Sequence, residues 1–545
     1  MIKQFTSILL ILAMSSLFGC SDNRGTGEEL TDDETRVHQE KPTKGGIPWF
    51  DGSIEDAFAA AKAAKKPIFL YWGAEWCPPC HELKATIFLR DEFIEQAKQF
   101  VPVYLDGDTD RAQKYGERFG VYGYPTVIIF DPQGVELTRI PGGMNIEQYI
   151  GVLELALNAI HPVSDLLQTV QAGRDIRDED WALLASYSWG QDRSKALGEQ
   201  DKHNTFRLLA GACPGRLTVP KSKLQMLALA AWAGDEERDE SLAQEYLVQL
   251  ESVLADDVLS RENLNSFIYS GATMLKALPG DDLAPALRDS ILEPLVAAIE
   301  DQSVSVLRRL DAMYGWVEVN KALLSEDEPL SPSQQAWVQE QAAAARAQVN
   351  NYQRHTAIST LWQLYYNADL ETMARATLQE GMEVSDQPYY FMADMGYLEQ
   401  KSGNEAEAIH WYKKAWDAAR GPATRTQWGT NYLFALIELS PDDIDEIGAA
   451  GATIFQELAA QEDGLYHRSR GRMDRLSKML LVWAEPAEGD NTTVEQRAVM
   501  LAALREEMDK LCVDVERDSE ASATCESFLV ASVVLPVESR ADKGV

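Results

Sequence analysis

Apolar residues between positions 47 and 161 occur in two patterns. Short runs rich in Val, Ile, Tyr and Phe predict β-strands, and these runs are residues 67–72, 101–105 and 121–130. Apolar residues at helical spacing predict helices at 54–62, 81–88 and around 113–116. A turn at 131–134 leads into another strand-like segment, 135–137. The order predicts an α/β domain in which helices flank a central sheet.

The pattern changes at about residue 162. Strand-like runs become scarce, and long stretches rich in Ala, Leu, Glu and Gln predict helices, as at 334–349 and 494–511. Proline and glycine punctuate them at Pro279-Gly280, Pro329, Pro332 and Ser440-Pro441. We therefore predict a large all-α region over residues 162–545.

One stretch of this helical region suggests internal repetition. Residues 392–396, 403–409 and 412–415 resemble a tetratricopeptide repeat. A step of about 34 residues back from Ala408 and Tyr412 reaches Ala374 and Leu378, a weaker unit. The resemblance implies a solenoid with repeats near 355–422. A generic helical domain with one repeat-like hairpin is the alternative.

The first 46 residues precede both predicted domains. A basic start, a mostly apolar stretch over 5–18 and a small residue before Cys20 predict a signal peptide at 1–19. Leu17-Phe18-Gly19-Cys20 resembles the bacterial lipobox, which implies that Cys20 becomes a lipidated N-terminus; plain secretion is the alternative. Ser21 follows Cys20, which points to the outer membrane. The polar residues of 20–46 predict a disordered tether that carries the lipidated cysteine.

Composition narrows the range of partners. The chain has 545 residues with 50 basic and 86 acidic side chains, a net charge of −36, which argues against nucleic acid as a partner. Seven histidines and no HExxH motif indicate no catalytic metal. Asp106, Asp108, Asp110 and Glu117 have the spacing of a calcium loop, but Arg111 stands where that loop needs glycine. A solvated loop with Asp110 as helix N-cap is the favoured interpretation.

The sequence Trp76-Cys77-Pro78-Pro79-Cys80 carries the clearest chemistry. It follows a predicted strand and precedes a predicted helix, so both sulfurs lie on one turn, close enough to bond. The amides of a helix N-terminus favour a thiolate there. Cys77 is therefore the predicted nucleophile and Cys80 the resolving thiol, although a CxxC alone is ambiguous between redox chemistry and zinc.

A second motif supports the redox interpretation. Gly123-Tyr124-Pro125-Thr126 follows in the order found in the thioredoxin superfamily, and the two motifs together resemble that family over about residues 46–160. The resemblance implies a thioredoxin fold with a central mixed sheet at 47–161. It also implies that Pro125 is a cis-proline opposite Cys77, and that Trp76, Tyr124 and Pro125 contact the substrate. Residues 47–50 and 54–62 resemble the thioredoxin-like domains of bacterial thiol:disulfide interchange proteins.

The sequence departs from the family before the active site. Cytosolic thioredoxins carry a buried Asp on the preceding strand, and Tyr71 occupies that place here. Glu75 and Glu82 are the candidate replacements as proton acceptor. Pro78 and Pro79 remove two backbone N–H groups from the loop, which leaves the degree of thiolate stabilisation open.

Three further cysteines remain. Cys512 and Cys525 lie between helical stretches and are predicted to form a structural disulfide in an oxidising compartment. Cys213 has no evident partner. A buried, inert thiol is the favoured interpretation, and a regulatory thiol is the alternative.

These patterns predict an envelope-anchored thiol:disulfide oxidoreductase that uses the Cys77–Cys80 pair and no other cofactor. The family resemblance favours a reductase or isomerase over an oxidase. The predicted partners are periplasmic proteins with disulfides or thiols, an unidentified redox partner, and the membrane through lipid on Cys20. The alternative is a helical-repeat scaffold or adaptor lipoprotein that binds envelope proteins, with the thioredoxin-like domain secondary.

Overall fold

The structure is a computed structural model that describes residues 46–530 except 110, 143, 193–195, 199, 279–282, 326–327, 352, 485–490, 514, 516 and 518. The predicted signal peptide, Cys20 and nearly all of the predicted tether lie outside the described residues, as do Asp110 and residues 531–545.

The first part of the described chain, residues 47–157, alternates helices and strands and is called here the α/β region. Its helices and strands, with one π-helical turn at Lys84–Phe88, are α1 (Ile54–Ala64), β1 (Ile68–Gly73), α2 (Pro78–Leu83), α3 (Asp91–Ala97), β2 (Val101–Asp106), α4 (Ala112–Arg118), β3 (Thr126–Phe130), β4 (Glu136–Ile140) and α5 (Ile146–Leu157). Ser53 caps α1 by accepting a hydrogen bond from the Asp56 amide at 3.1 Å.

The four strands form one mixed sheet in the order β2-β1-β3-β4. β1 pairs with β2 in parallel, which places Tyr71 opposite Tyr104 and Gly73 opposite Asp106. β3 runs antiparallel to both β1 and β4. Every residue of β1 is buried, as expected for a strand with neighbours on both edges and helices on both faces. The predicted thioredoxin-like α/β fold with a mixed sheet is confirmed.

Two predicted boundaries differ from the structure. β3 begins at Thr126 rather than at residue 121, because the preceding residues form the loop that contains Pro125, and proline cannot donate a hydrogen bond to a sheet. The predicted helix at 81–88 begins earlier, at Pro78, and its second half is the π-helical turn. Pro78 suits a first helical position because the amide it lacks has no intrahelical acceptor there.

Side chains of β1 divide the core of the α/β region into two layers. Phe69 and Tyr71 pack with Cys77 and Cys80 on one face of the sheet, where α5 contributes Tyr149. The intervening residues, such as Leu70, point to the opposite face and pack against α1. The alternation places the cysteine pair above the same layer as Tyr71.

The rest of the described chain, residues 162–530, is called here the helical region. It contains two short 3₁₀ helices, Trp189–Gln191 and Glu240–Leu242, and α-helices throughout. The α-helices are α6 (Val163–Gln171), α7 (Asp178–Ala185), α8 (Lys202–Ala212), α9 (Thr218–Ala233), α10 (Ala243–Leu254), α11 (Asp257–Glu262), α12 (Leu264–Ala277), α13 (Ala284–Glu300), α14 (Val306–Lys321), α15 (Pro332–Arg346), α16 (Arg354–Asn367), α17 (Glu371–Val384), α18 (Pro388–Lys401), α19 (Glu405–Ala418), α20 (Pro422–Leu439), α21 (Ile444–Ala459), α22 (His467–Ala484), α23 (Asn491–Leu511) and α24 (Glu520–Ser527).

The repeat-like stretch consists of helices that pack in succession, α16 on α17, α17 on α18 and α18 on α19. Gly396 allows a close approach of α18 and α19, since a Cβ there would lie 3.1 Å from the Tyr412 ring. Ala374, Leu378 and Ala408 are fully buried. The packing agrees with the spacing noted in the sequence, while the assignment to tetratricopeptide repeats stays a prediction. Among the described residues, no helix is long and apolar enough to span a membrane.

A buried arginine joins the sheet to the start of the helical region. The side chain of Arg139, on β4, is fully buried beside Glu136. Its guanidinium donates to the carbonyl of Gly120 at 2.8 Å and to that of Gln191 at 3.2 Å. Gln191 in turn donates from Nε2 to the carbonyl of Pro125 at 2.7 Å. The helical region therefore supports the proline loop directly.

Candidate active site

Cys77 and Cys80 lie at the beginning of α2, directly after β1, and are joined by a disulfide with Cα atoms 5.2 Å apart. Cys77 is the N-cap residue, and its Sγ accepts a hydrogen bond from the Cys80 amide at 3.1 Å. Pro78 and Pro79 therefore leave one amide directed at the first sulfur. A helix N-terminus that donates to this sulfur favours its thiolate form when the pair is reduced.

The proline loop lies beside this turn. The Tyr124–Pro125 peptide bond is cis, as the family resemblance implies. The Tyr124 ring lies 4.9 Å from the Trp76 ring, centroid to centroid, and Gln191 holds the carbonyl of Pro125 from the other side. The structure thus brings Trp76, Tyr124 and Pro125 together around the cysteine turn.

An acidic side chain holds Trp76 in place. The indole Nε1 of Trp76 donates to the carboxylate of Asp108, which follows β2. The same carboxylate accepts hydrogen bonds from the Thr424 amide at 2.9 Å and from Arg468 Nη2 at 2.8 Å. The Arg468 guanidinium lies 5.2 Å from the centroid of Trp76 and 5.5 Å from that of Tyr124, within cation–π distance of both rings.

Tyr71 occupies the buried position beneath the cysteine turn. It is 1% exposed, and its hydroxyl has no hydrogen-bond partner among the described residues. Burial raises the pKa of this phenol, and the negative charge of Asp106 raises it further. Tyr71 is therefore neutral at physiological pH and does not replace the missing carboxylate as a base.

Asp106, at the end of β2, supplies a carboxyl on this face of the sheet. Its Oδ1 accepts from the Asp108 amide at 2.9 Å, and Tyr104 Oη donates to its Oδ2 at 3.3 Å. Burial raises the pKa of Asp106 to about 6, and the charges of Asp108 and Glu75 contribute to the rise. A carboxyl with this pKa exchanges its proton near neutral pH.

The two acids chosen from the sequence lie elsewhere. Glu75 is exposed to solvent, and its backbone carbonyl is hydrogen-bonded to His81 Nε2 at 2.6 Å. Glu82 follows Cys80 by two residues, roughly 200° around the helix, so it faces away from that sulfur. Burial raises the pKa of Glu82 to about 8, the charge of Asp311 on α14 adds to the rise, and Arg308 opposes it. Glu82 therefore faces the helical region.

The remaining cysteines are distant from this chemistry. Cys512 and Cys525 are joined by a disulfide with Cα atoms 6.0 Å apart, between α23 and α24. Cys213 is a free, buried thiol, and burial raises its pKa to about 11. At neutral pH it is protonated and a poor nucleophile.

The residues considered for calcium contact protein groups. Asp108 is paired with Arg468, and Glu117 with Arg470 at 3.2 Å. Asp110 lies outside the described residues. Within the ranges that the structure describes, no three or more His, Cys, Asp or Glu side chains are grouped so as to hold a metal ion.

The sequence interpretation did not connect four residues with the redox site: Asp106 and Asp108, which it considered only for calcium, and Gln191 and Arg468. The position of Asp106 could have been predicted from the pairing of β2 with β1, because a residue at the end of the neighbouring strand lies beside the active-site turn. No local signal identifies Gln191 or Arg468. Gln191 follows the cysteines by more than a hundred residues, and Arg468 follows them by several hundred.

Comparison with known proteins agrees with this geometry. Residues 54–157 match a family model described as a thioredoxin-like domain. The thiol:disulfide interchange protein DsbD of Yersinia pestis (strain Pestoides F) is 32% identical over 98 residues, which are 17% of this chain and 16% of that protein. DsbD of Ralstonia nicotianae is 33% identical over 113 residues, 19% of this chain and 18% of that protein.

A solved structure described as DsbH oxidoreductase matches at 23% identity, with 24% of this chain and 95% of that chain covered and a TM-score of 0.20. The chain thus spans less than a fifth of the length of the DsbD relatives, 16–18%. The match to the family model, the DsbD relatives, the sheet, the cysteine turn and the cis-proline lead to one conclusion. The chain contains a thioredoxin-like domain homologous to that of the DsbD thiol:disulfide interchange proteins, followed by a large helical region.

Proposed function

We propose that this chain is a thiol:disulfide oxidoreductase that acts on protein disulfides in the bacterial envelope. The observation that carries the proposal is the Cys77–Cys80 disulfide at the N-terminus of α2, beside the cis Tyr124–Pro125 bond. Two cysteines on one turn alternate between a disulfide and a dithiol, which differ by two electrons and two protons. No further cofactor enters this reaction.

The reduced pair reacts in two steps. The Cys77 thiolate attacks a substrate disulfide, so that one substrate sulfur joins Cys77 and the other leaves as a thiolate that takes up a proton. Cys80 then loses its proton and attacks the Cys77 sulfur, which releases the second substrate sulfur as a thiolate. The substrate gains two electrons and the enzyme ends as the disulfide. A thiol-bearing redox partner must reduce it again.

The second step requires a group that accepts the proton of Cys80. We propose Asp106 for this role, ahead of Glu75 and Glu82, because it lies on the sheet face that carries the cysteines. The raised pKa of Asp106, about 6, suits proton exchange near neutral pH.

Reduction of insulin by dithiothreitol, followed by turbidity, tests the activity. The full-length protein should accelerate it, and Cys77→Ser should abolish the acceleration. Cys80→Ala should instead accumulate a mixed disulfide with substrate, because the resolving thiol is missing. Cys213→Ala is the matched control, since that thiol is buried and unpaired, and it should retain activity. Equal activity of wild type and Cys77→Ser would refute the proposal.

The direction of transfer depends on the reduction potential of the pair. We favour a reductase or isomerase; equilibration with glutathione should give a reductase a value near that of thioredoxin, about −270 mV, and an isomerase a value near about −180 mV. A value near about −120 mV, like that of DsbA, would indicate a disulfide donor.

We also propose the location from the sequence. Residues 1–19 serve as a signal peptide, lipid on Cys20 anchors the chain to the outer membrane facing the periplasm, and residues 20–46 form the tether. Globomycin, an inhibitor of lipoprotein signal peptidase, should cause the uncleaved precursor to accumulate. A Cys20→Ser variant should be released from the membrane fraction.

One observation favours the second candidate function, a scaffold or adaptor that binds envelope proteins. Cys77 is only 1% exposed, and α16 of the helical region packs on α2, the helix that Cys77 caps. A Cys77→Ser, Cys80→Ser variant separates the two functions in cells. Full complementation of a deletion by this variant would support the adaptor, and loss of complementation supports the enzyme.

A further inference from the structure

The helical region packs against the turn that carries the cysteine pair. Cys77 is 1% exposed and Cys80 is not exposed. An N-cap residue in the first turn of a helix that follows a strand lies at the edge of its domain, where solvent normally reaches it. Here α16 packs on α2 and α22 packs on α4, on the α/β region. Cys77 itself packs in the core of the α/β region, and the second region of the chain lies against the turn that carries it.

The first contact is made by the side chain that holds Trp76. Asp108 accepts hydrogen bonds from Thr424 and Arg468, which belong to α20 and α22. Arg468 lies over both Trp76 and Tyr124, the two rings that border the cysteine turn. By the family resemblance these two residues contact the substrate. Arg468 thus occupies the place where a client protein would bind.

The second contact is made by α16 and α18. Thr356 Oγ1 donates to the carbonyl of Pro78, in the loop between the cysteines, at 2.7 Å. The Tyr390 ring is stacked on the Trp76 ring, with centroids 6.3 Å apart and planes 20° apart. These two residues and Arg468 approach the cysteine turn from three different helices, α16, α18 and α22.

The covering interface has the composition of a reversible contact. It contains an ion pair, hydroxyl donors and a half-buried indole, all of which water can solvate after separation. The guanidinium nitrogens Nε and Nη1 of Arg468 are buried without a hydrogen-bond partner among the described residues. Buried donors without acceptors disfavour the closed arrangement relative to a solvated one.

We propose that the helical region is a lid that holds the oxidoreductase in a closed, inactive form. The inference depends on the proposed function. A disulfide must come within about 3.5 Å of the Cys77 sulfur to react, which a folded client cannot do while Arg468, Tyr390 and Thr356 remain in place. The enzyme opens when a client or redox partner displaces these residues from the Trp76–Tyr124 groove.

Alkylation of the reduced full-length protein by iodoacetamide tests the lid, with the modification at Cys77 quantified by mass spectrometry. Arg468→Gln removes the cation that pairs with Asp108 and should raise the alkylation rate about tenfold or more. Thr356→Val keeps the size of the side chain but removes its hydrogen bond to Pro78, and should raise the rate about threefold. Arg346→Gln is the matched control, because Arg346 pairs with Glu380 within the helical region.

Near-ultraviolet circular dichroism and a thermal melt establish that each variant is folded. The lid is refuted if wild-type Cys77 reacts as fast as a thiol in a short peptide of residues 74–81, or if Thr356→Val and Arg468→Gln both leave the rate unchanged. Insulin turnover distinguishes this failure from failure of the proposed function. If the variants are alkylated faster but no protein turns over insulin, the proposed lid is supported and the proposed enzymatic function is refuted. If the wild type turns over insulin but the variants are alkylated no faster, the enzymatic function is supported and the lid is refuted.

Discussion

Asp108 of the α/β region is ion-paired with Arg468 of the helical region, at 2.8 Å and across 360 residues of sequence. The same carboxylate accepts the indole hydrogen of Trp76, the residue before Cys77. One side chain therefore connects the redox turn to the region that covers it. A change at Asp108 should alter the position of Trp76 and the closure together.

Asp108→Asn should lower the free energy of unfolding by about 3 kcal/mol, because it leaves the nearly buried Arg468 without a counter-charge. The amide oxygen of Asn still accepts one hydrogen bond, so the loop itself should persist. Denaturation by urea measures the loss, and Arg346→Gln, in a half-exposed pair, should cost less than about 1 kcal/mol. Equal losses in the two variants would contradict a special role for the Asp108–Arg468 pair.

Gly421→Ala tests the same interface without removing a polar group. Gly421 has φ +85°, and a Cβ there would lie 2.9 Å from the Cβ of Asp108. We expect a loss of about 1–3 kcal/mol from backbone strain, together with faster alkylation of Cys77. Gly403→Ala is the control, since Gly403 likewise has a positive φ, +76°, but no atom lies within 4 Å of the position that its Cβ would take. If Gly403→Ala accelerates alkylation as much, strain alone rather than the interface is responsible.

Acid should weaken the closure through His355. Burial lowers the pKa of His355 to about 4, and His81, whose ring lies 5.5 Å away beside Cys80, lowers it further. An unfolded His binds its proton near pH 6.5, so stability is lost as pH falls from 6.5 towards 4. At pH 5 the loss from this residue is at most about 2 kcal/mol.

Urea denaturation of wild type and His355→Gln at pH 7 and pH 5 measures this effect. The difference in stability between the two pH values should be smaller in His355→Gln. If both proteins lose the same stability between pH 7 and pH 5, His355 does not stay neutral in the folded form.

Asp106 should contribute the opposite dependence of stability on pH, and Asp106→Asn should remove it. The pKa of Asp106 is raised to about 6, so the folded protein retains a proton that the unfolded chain releases near pH 4. Stability is therefore lost as pH rises from about 4 to 6, by at most about 3 kcal/mol. Asn lacks this titration, and Asp106→Asn should be more stable than wild type at pH 7 in urea denaturation.

The same variant tests the proposed proton acceptor. Resolution of the mixed disulfide by Cys80 should become slower in Asp106→Asn and should lose its dependence on a group with pKa near 6. Glu75→Gln is the control, because Glu75 is exposed. A resolution rate in Asp106→Asn equal to that of wild type at every pH would exclude Asp106 from this role.

Local patterns in the sequence predicted most elements of the fold, although α3 and α5 were not among them. The apolar run before Cys77 predicted β1, the spacing after it predicted a helix, and the change at about residue 162 predicted the helical region. These features depend on neighbours along the chain, since side-chain periodicity selects strand or helix locally. The cysteine motif likewise predicted a disulfide, because two thiols two residues apart on one turn can bond wherever that turn lies.

The surroundings of the cysteines depended on tertiary structure. The position of Asp106 follows from the register of β2 beside β1, and the candidate Glu82 was placed by helix rotation on the side facing α14. The contacts around the cysteine turn come from Thr356, Tyr390 and Arg468, which no local pattern relates to the motif. Such contacts arise when distant elements bury their surfaces together, and pairing of this kind is not encoded in the periodicity of either segment. The sequence by itself determined which two cysteines share one turn, because that depends on local spacing, and the tertiary structure decided which side chains surround them, because those side chains come from distant elements.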